Sequence, residues 1–316
     1  MERSDPRVSV VIPTIGRPQL VGRAIRSALG QSVPPLEVIV VVDGPDDATV
    51  REVRRIDAET VRLVALPERV GLGRARGAGI ASARGPWIAL LDDDDEWLPP
   101  KLELQLRGAR QSAHRYPVIA TRFIDRRAHG DVVLPERLPG MDEPLADYLF
   151  CRPRLRVAEG VVLPSTMLFP RSLAEQVAFR FAQFPHEGSD WLLRAVRCDG
   201  VGLEFAPTME PLAIRHAETA RTRMSSTNDW RGSLAWAQDN AHLLTPRAHA
   251  AFLLTRASLE AKRGADLRAA GLLVWEAFRR GRPTSTSLAS HAVLWLVPER
   301  LRFELLTRLG AAHKRA

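Results

Sequence analysis

The 316-residue chain has only two cysteines, 6% aromatic residues and no long uncharged apolar run, and each shortage removes a class of protein. Cys151 and Cys198 can form one pair at most and lack metal-ligand spacing, which excludes a disulfide-stapled scaffold and a thiolate metal site. The longest uncharged stretch with apolar weight, Pro283 to Pro298, is interrupted by Ser, Thr and His. It falls short of the roughly 20 apolar residues of a membrane span, so no transmembrane helix is expected. Met1 to Arg7 is polar and leads straight into a strand pattern, without the apolar segment or small-residue cleavage site of a signal peptide, so the expected compartment is the cytoplasm. No internal repeat is visible. An apolar content of 45% with 26% charged residues fits an ordinary globular protein and excludes collagen-like, coiled-coil and wholly disordered chains.

Lys and Arg outnumber Asp and Glu by 45 to 37, a formal charge of +8 that favours anionic partners. The arginines are spread along the chain with no basic run interleaved with aromatics, so nucleic acid is not the expected partner. Anionic small molecules or an anionic membrane surface suit the charge.

The first half alternates short β-branched runs with amphipathic stretches, the pattern of a mainly parallel sheet with helices on both faces. Strands are expected at Val8 to Ile12, Glu37 to Val42, Val61 to Leu66 and Trp87 to Leu91. Helices are expected from Pro18, from about Asp46 to Asp57 and from about Leu72 to Ala83. In open α/β sheets ligands bind beyond the carboxyl ends of the parallel strands. Here those ends carry Pro13, Thr14 and Arg17, then Asp43, then Asp92, Asp93, Asp94 and Asp95.

Four consecutive acids after an apolar strand repel one another and need compensation. A hard divalent cation with oxygen ligands, Mg²⁺ or Mn²⁺ held by one or two carboxylates plus substrate phosphates, supplies it. The plainer reading is a solvated acidic turn ahead of a helix that starts near Pro99 and Pro100, but capping uses one carboxylate and four are present.

The segments VSVVIPTIGRP (Val8 to Pro18), VIVVVDGPDD (Val38 to Asp47), GLGRARGAGIASARGPWIALLDDDDEWLPPKL (Gly71 to Leu102) and, more loosely, HEGSDWLLRA (His186 to Ala195) carry a resemblance. In order and spacing they resemble the catalytic domain of family 2 glycosyltransferases, which have the GT-A fold. The resemblance implies transfer of a sugar from a nucleotide-diphosphate sugar to an acceptor hydroxyl with inversion, in glycan, polysaccharide or glycoconjugate biosynthesis, usually with Mg²⁺ or Mn²⁺. It implies that Pro13, Thr14 and Arg17 receive the nucleotide, that Asp43 binds the base, usually uracil, and that Arg76 approaches the diphosphate. Asp92 and Asp94 match the family's Asp-x-Asp pair, the first toward the ribose and the second toward the metal. Asp93 between them belongs to the nucleotide-sugar site, and Asp95 matches a second metal ligand or sugar contact.

An acceptor hydroxyl is a poor nucleophile at neutral pH, so inverting transfer needs a carboxylate base on the face opposite the leaving group. Relatives often read Glu-Asp-Trp-Asp here. Alignment on Arg194 puts Glu187 on the Glu and Gly188 where the base would stand, whereas alignment on Asp190-Trp191 makes Asp190 the base. Asp190 is the expected base, with Glu187 the alternative, and Asp190 also suits a helix N-cap. His216 lies where some relatives place a late His near the metal. Val161 to Phe169 reads as a strand, with Ser165 and Thr166 available for hydrogen bonds, and Arg126 to Gly140 reads as a selectivity loop.

Gly71, Gly73 and Gly77 suggest a dinucleotide fingerprint, but their spacing is G-x-G-x-x-x-G and they follow the third strand. An NAD(P)-dependent oxidoreductase is therefore the remote alternative, behind a non-catalytic nucleotide-sugar binder and a nucleotidyltransferase. Residues 1–225 are expected to form the GT-A domain and 226–316 a helical extension. In the extension Thr245-Pro246 and Val297-Pro298 read as helix starts, and Arg263-Gly264 and Arg280-Gly281 as stops. Leu253, Leu254, Ala257 and Ala261, with Leu267, Ala270, Leu273, Val274 and Phe278, fit an antiparallel helical pair. Trp295 to Arg315 has the composition of a basic amphipathic end, suited to packing on the domain, to a homo-oligomer contact or to an anionic membrane surface.

Overall fold

The computed structural model describes residues 6–56, 59–127, 130–152, 159–180, 186–217 and 228–298. They fall into two compact units, one built from residues 1–134 and 162–224, the other from residues 135–161 and 225–316.

The first unit opens with β1 (Val8–Thr14), α1 (Pro18–Leu29), β2 (Glu37–Val42), α2 (Asp47–Arg55), β3 (Val61–Ala65), α3 (Leu72–Ala81) and β4 (Trp87–Leu90). Then come β5 (Asp95–Trp97), α4 (Lys101–Gln111), β6 (Tyr116–Ala120), β7 (Phe123–Arg127) and β8 (Gly130–Leu134). After α5 (Leu145–Phe150) of the second unit, the chain adds β9 (Leu168–Pro170), α6 (Arg171–Gln176), α7 (Glu187–Ala195), β10 (Val201–Phe205) and β11 (Ala213–His216).

The larger sheet has seven strands in the order β10-β6-β9-β4-β1-β2-β3. Its pairs are parallel except around β9, which runs antiparallel to β4 and β6. All of β1 and β2 is buried, as continuous apolar runs covered on both faces should be. Full burial of Val10, Val11, Ile12 and Val38 to Val42 stabilises the centre by about 1.5–3 kcal/mol per side chain. The small residues of α3 follow from how closely it lies on that sheet: a Cβ at Gly79 would meet Val11 at 2.4 Å and Val41 at 2.9 Å. Register then fixes the site, because Thr14 pairs with Val42 and Val11 with Leu90, so the residues after β1, β2 and β4 leave the sheet at one edge.

A second sheet, in the order β5-β11-β7-β8, takes up the chain just after the acids. Two sequence expectations change here. Arg126 to Gly140 is not all loop, since β8 pairs antiparallel with β7. Val161 to Phe169 is not one strand, since Pro164–Thr166 forms a 3₁₀ turn before β9, and that turn becomes part of the site.

The second unit holds α5, α8 (Trp230–Asp239), α9 (Pro246–Phe252), α10 (Ser258–Arg263), α11 (Arg268–Arg280) and α12 (Ser285–Leu296), with a π-helical step at Leu253–Ala257. Residues 135–161 were expected in the first domain, but Phe150 packs edge-on against Trp236 and Phe252, with ring centroids 6.2 and 5.1 Å away. Thr245 caps α9 by accepting from the Ala248 N–H. α12 begins at a capping box on Thr284 and ends at Leu296, and the helix expected to start at Val297-Pro298 lies outside the described residues. The antiparallel-pair reading fails at Leu267 and Phe278, which are 77% and 59% exposed while Leu273 is buried. The basic end beyond Pro298 lies outside the described residues. Among the described residues, no helix is long and apolar enough to cross a membrane.

Candidate active site

The four acids divide by exposure. Asp92 and Asp94 are partly open, whereas Asp93 and Asp95 are buried, and the alternation continues through Glu96 and Trp97. Partners from distant parts of the chain hold the inward pair. Thr14 Oγ1 donates to Asp93 Oδ2 at 2.7 Å and Arg17 Nη1 to its Oδ1 at 3.0 Å, so the loop after β1 is tied to the acid loop. Arg17 also lies 3.6 Å from Asp94 Oδ2. Ser165 Oγ, on the turn before β9, donates to Asp95 Oδ2 at 2.5 Å and accepts from the Asp92 N–H at 3.0 Å. Arg23 Nη2 of α1 donates to the Asp94 carbonyl at 2.8 Å.

Arg23 carries no sequence motif, and Ser165 was expected only to be available for hydrogen bonds. The available signal for Ser165 was a hydroxyl inside the apolar run VVLPSTMLF.

Burial pushes the Asp93 carboxyl up to about 6, with Asp94 and Asp92 adding repulsion against the pull of Arg17 and Thr14. Burial, then Asp92 and Asp94, raises Asp95 well above the ordinary carboxylate range. Burial thus disfavours the charged forms of Asp93 and Asp95 despite the partners that hold them.

Asp43 is fully buried, and its oxygens accept from the Val70 and Gly71 N–H groups at 2.7 and 3.0 Å. It thereby fixes the turn through Gly71, where φ is +89°, into α3. Pro13 is buried within β1, where it pairs with Val41, and the strand runs on to Thr14. Arg76, expected at the diphosphate, is 2% exposed and joins two acids: Nη2 to Asp92 Oδ1, and Nη1 to Glu187 Oε2 at 2.7 Å. Its Nε has no hydrogen-bond partner.

The two candidate bases sit on the first turn of α7, where the helix dipole favours acids. Packing fixes that turn: Trp191 stacks on Phe179, centroids 4.9 Å apart, and donates from Nε1 to the Val177 carbonyl at 2.6 Å. Glu187 points to Arg76 and approaches Gly73 so closely that a Cβ there would lie 2.8 Å from Oε1. Burial pushes its carboxyl up to about 7, against the attraction of Arg76. Asp190 points elsewhere, with Oδ2 on Arg194 at 2.8 Å and Oδ1 3.6 Å from Arg180.

Gly188 packs on the Ser165 turn, and a Cβ there would lie 2.8 Å from Pro164 Cγ. Gly188→Ala is therefore expected to lower stability by about 1–3 kcal/mol through overpacking, read as a fall in the midpoint of urea unfolding.

His216 ends β11 beside the acid loop, because its neighbour Arg215 pairs with Asp95. Its Nε2 is 3.2 Å from Glu96 Oε2. Among the described residues, no three His, Cys, Asp or Glu side chains are arranged as a metal cluster, so Asp94, Asp95 and His216 are not gathered into one ligand set. The donor chemistry still fits Mg²⁺ or Mn²⁺, which take one or two carboxylates and complete their shell with water and phosphate oxygens. Asp94, partly open with Arg17 3.6 Å from its Oδ2, is a carboxylate that could hold such an ion.

Residues 9–172 match the family model described as Glycosyl transferase family 2. The chain belongs to glycosyl transferase family 2. Among family relatives it is 34% identical over 205 residues to the succinoglycan biosynthesis protein ExoO of Rhizobium meliloti, covering 62% of this chain and 57% of that protein. It is 28% identical over 240 residues to the amylovoran biosynthesis glycosyltransferase AmsB of Erwinia amylovora, covering 73% of this chain and 77% of that one. The match to ExoO thus spans little more than half of the relative's length.

The structure resembles S. aureus TarS 1-349 in complex with UDP-GlcNAc, with a TM-score of 0.58 at 17% identity, over 96% of this chain and 87% of that one. It also resembles the mannosyltransferase PcManGT from Pyrobaculum calidifontis in complex with GDP-Man and Mn²⁺, with a TM-score of 0.56 at 20% identity, over 97% and 86% of the two chains. These likenesses show the GT-A fold, an α/β architecture expected for family 2.

Proposed function

We propose that this chain transfers a sugar from a nucleotide-diphosphate sugar to an acceptor hydroxyl with inversion, in the assembly of a polysaccharide or glycoconjugate. The observation that carries the reading is the partly open pair Asp92 and Asp94 at the carboxyl edge of the parallel strands, with Asp92 joined through Arg76 to Glu187. The relatives' names in succinoglycan and amylovoran biosynthesis support the polymer context. Complexes of structural neighbours with UDP-GlcNAc and GDP-Man support the donor class.

In this reading the loop after β1 (Pro13, Thr14, Arg17), Asp43 and Asp92 seat the nucleotide, and UDP is the nucleotide favoured. A divalent cation on Asp94 would neutralise charge that builds on the departing diphosphate. Arg76 holds Asp92 and Glu187 in a fixed relation, which keeps the geometry of the site from drifting.

The geometry favours Glu187 over Asp190 as base. Asp190 is paired with Arg194 and Arg180, whereas Glu187 shares Arg76 with Asp92 and has a carboxyl near 7, suited to proton transfer at neutral pH. Glu187 takes the proton from the acceptor hydroxyl. The acceptor oxygen forms its bond to the anomeric carbon as the bond to the diphosphate breaks, and the nucleoside diphosphate leaves on the opposite face.

The test is release of nucleoside diphosphate from a panel of UDP- and GDP-sugars with Mn²⁺, with and without oligosaccharide and lipid-linked acceptors. Acceptor-stimulated release from one donor supports the reading. Reduction of NAD or NADP by the protein, with no release from any donor, would replace it with the oxidoreductase.

A further inference from the structure

Helix α11 exposes the wrong residues for a helix that only completes a bundle. Ala269, Leu273, Glu276 and Ala277 face inward. On the other side, Leu267 is 77% exposed, Leu272 42%, Trp275 57% and Phe278 59%. At 100° per residue these four lie on one face of the helix together with Gly271, Arg268 and Arg279. A contiguous outward stripe with two large aromatic rings marks a surface that meets something.

The charge around the stripe says what. From Gly264 to Pro298 the chain carries Arg268, Arg279, Arg280 and Arg282, all exposed, and two acids. Both acids are taken up within this unit. Asp266 accepts from Trp230 Nε1 at 3.2 Å and Arg231 Nη2 at 3.0 Å, and Glu276 is buried with Arg279 and Arg280 at 3.3 Å each. The Arg279 guanidinium also lies over the Trp275 ring, 4.8 Å from its centre. The face thus offers apolar rings edged by positive charge. A second copy of this chain would set arginine against arginine. A phospholipid surface accepts both features, because acyl chains receive the rings and anionic headgroups receive the guanidinium groups.

We propose that the exposed face of α11, centred on Trp275 and edged by Arg268, Arg279 and Arg282, seats the protein on an anionic phospholipid surface. The inference is independent of the reaction assigned to the first unit. It is also distinct from membrane contact by the basic end beyond Pro298, which the variants below leave intact.

The experiment is co-sedimentation of the full chain with vesicles of phosphatidylglycerol and phosphatidylcholine in equal parts, against pure phosphatidylcholine. Binding is expected only to the anionic vesicles and to weaken as salt is raised. Trp275→Ser with Phe278→Ser is expected to reduce partitioning about tenfold or more, since it removes the rings that insert. These side chains are exposed, so the double variant should keep the wild-type melting temperature and nucleotide release. Trp275→Phe is expected to retain binding and to lose most of the fluorescence quenching by brominated phospholipid.

Three results would overturn the proposal. One is failure of the wild type to sediment with anionic vesicles; another is wild-type binding by the double serine variant, which would move the contact to another part of the chain; the third is a wild-type dimer that the serine variant converts to monomer, which would make the face a contact between copies.

Discussion

Glu187→Gln is expected to bind donor nucleotide like the wild type and to lose about 10²- to 10⁴-fold in turnover, the range supplied by a positioned general base. The carboxylate is 2.7 Å from Arg76 and almost buried, so the isosteric amide keeps the packing against Gly73 while removing the proton acceptor and the charge that pairs with Arg76. Wild-type turnover should rise with pH through a midpoint near 7, where Glu187 loses its proton, and the residual activity of the variant should lack that step.

The same group acts on stability in the opposite sense. Its folded pKa stands above the ordinary 4.5, so the stability it contributes is complete below about 4.5 and is lost as pH rises toward 7. The variant should therefore lose less stability than the wild type across that window. Asp190→Asn serves as the comparison. It breaks the pairs with Arg194 and Arg180 and should lower stability while leaving the pH midpoint of turnover in place. If Asp190→Asn removes turnover and Glu187→Gln does not, the base is Asp190.

Asp94→Ala is expected to abolish the metal-dependent part of nucleotide binding. At a ligand concentration of 100 times Kd, binding to the wild type adds about 2.7 kcal/mol of stability. In the variant the increment from nucleoside diphosphate with Mn²⁺ should fall to that seen with EDTA. Asp94 is the test position because its neighbours are committed inward, Asp93 to Thr14 and Arg17 and Asp95 to Ser165. The variant should fold: Asp94 is partly open, and its backbone carbonyl keeps the hydrogen bond from Arg23.

The parallel half of the sheet was legible because buried parallel strands are continuous apolar runs, and Val8–Thr14 and Glu37–Val42 carry that signature undiluted. The acids were legible as a site because no fold needs four carboxylates in a row at a strand end. Their division into an outward and an inward pair was not, since it depends on Thr14 and on Ser165, which stands 70 residues away from Asp95 in the chain. The choice between Glu187 and Asp190 was illegible for a related reason. It turns on Arg76, 111 residues before Glu187, and on Gly188 lying against Pro164.

The helical unit shows a different limit. Periodicity identifies an apolar face on α11 but is blind to whether anything covers it, so Leu267 and Phe278 looked like core. The transfer of residues 135–161 to that unit also rests on contacts made far along the chain, by Phe150 with Trp236 and Phe252.

The account stands on a nucleoside diphosphate bound beside Asp92 and Asp94 with a divalent cation. The most direct test is thermal unfolding of the full chain with UDP, GDP, dTDP and NAD in turn, each with Mn²⁺ and again with EDTA. Stabilisation by one nucleoside diphosphate that disappears with EDTA, and is missing from Asp94→Ala, is the expected result. Stabilisation by NAD, or by none of the four under either metal condition, would contradict it and leave Asp92 to Asp95 as an acidic turn.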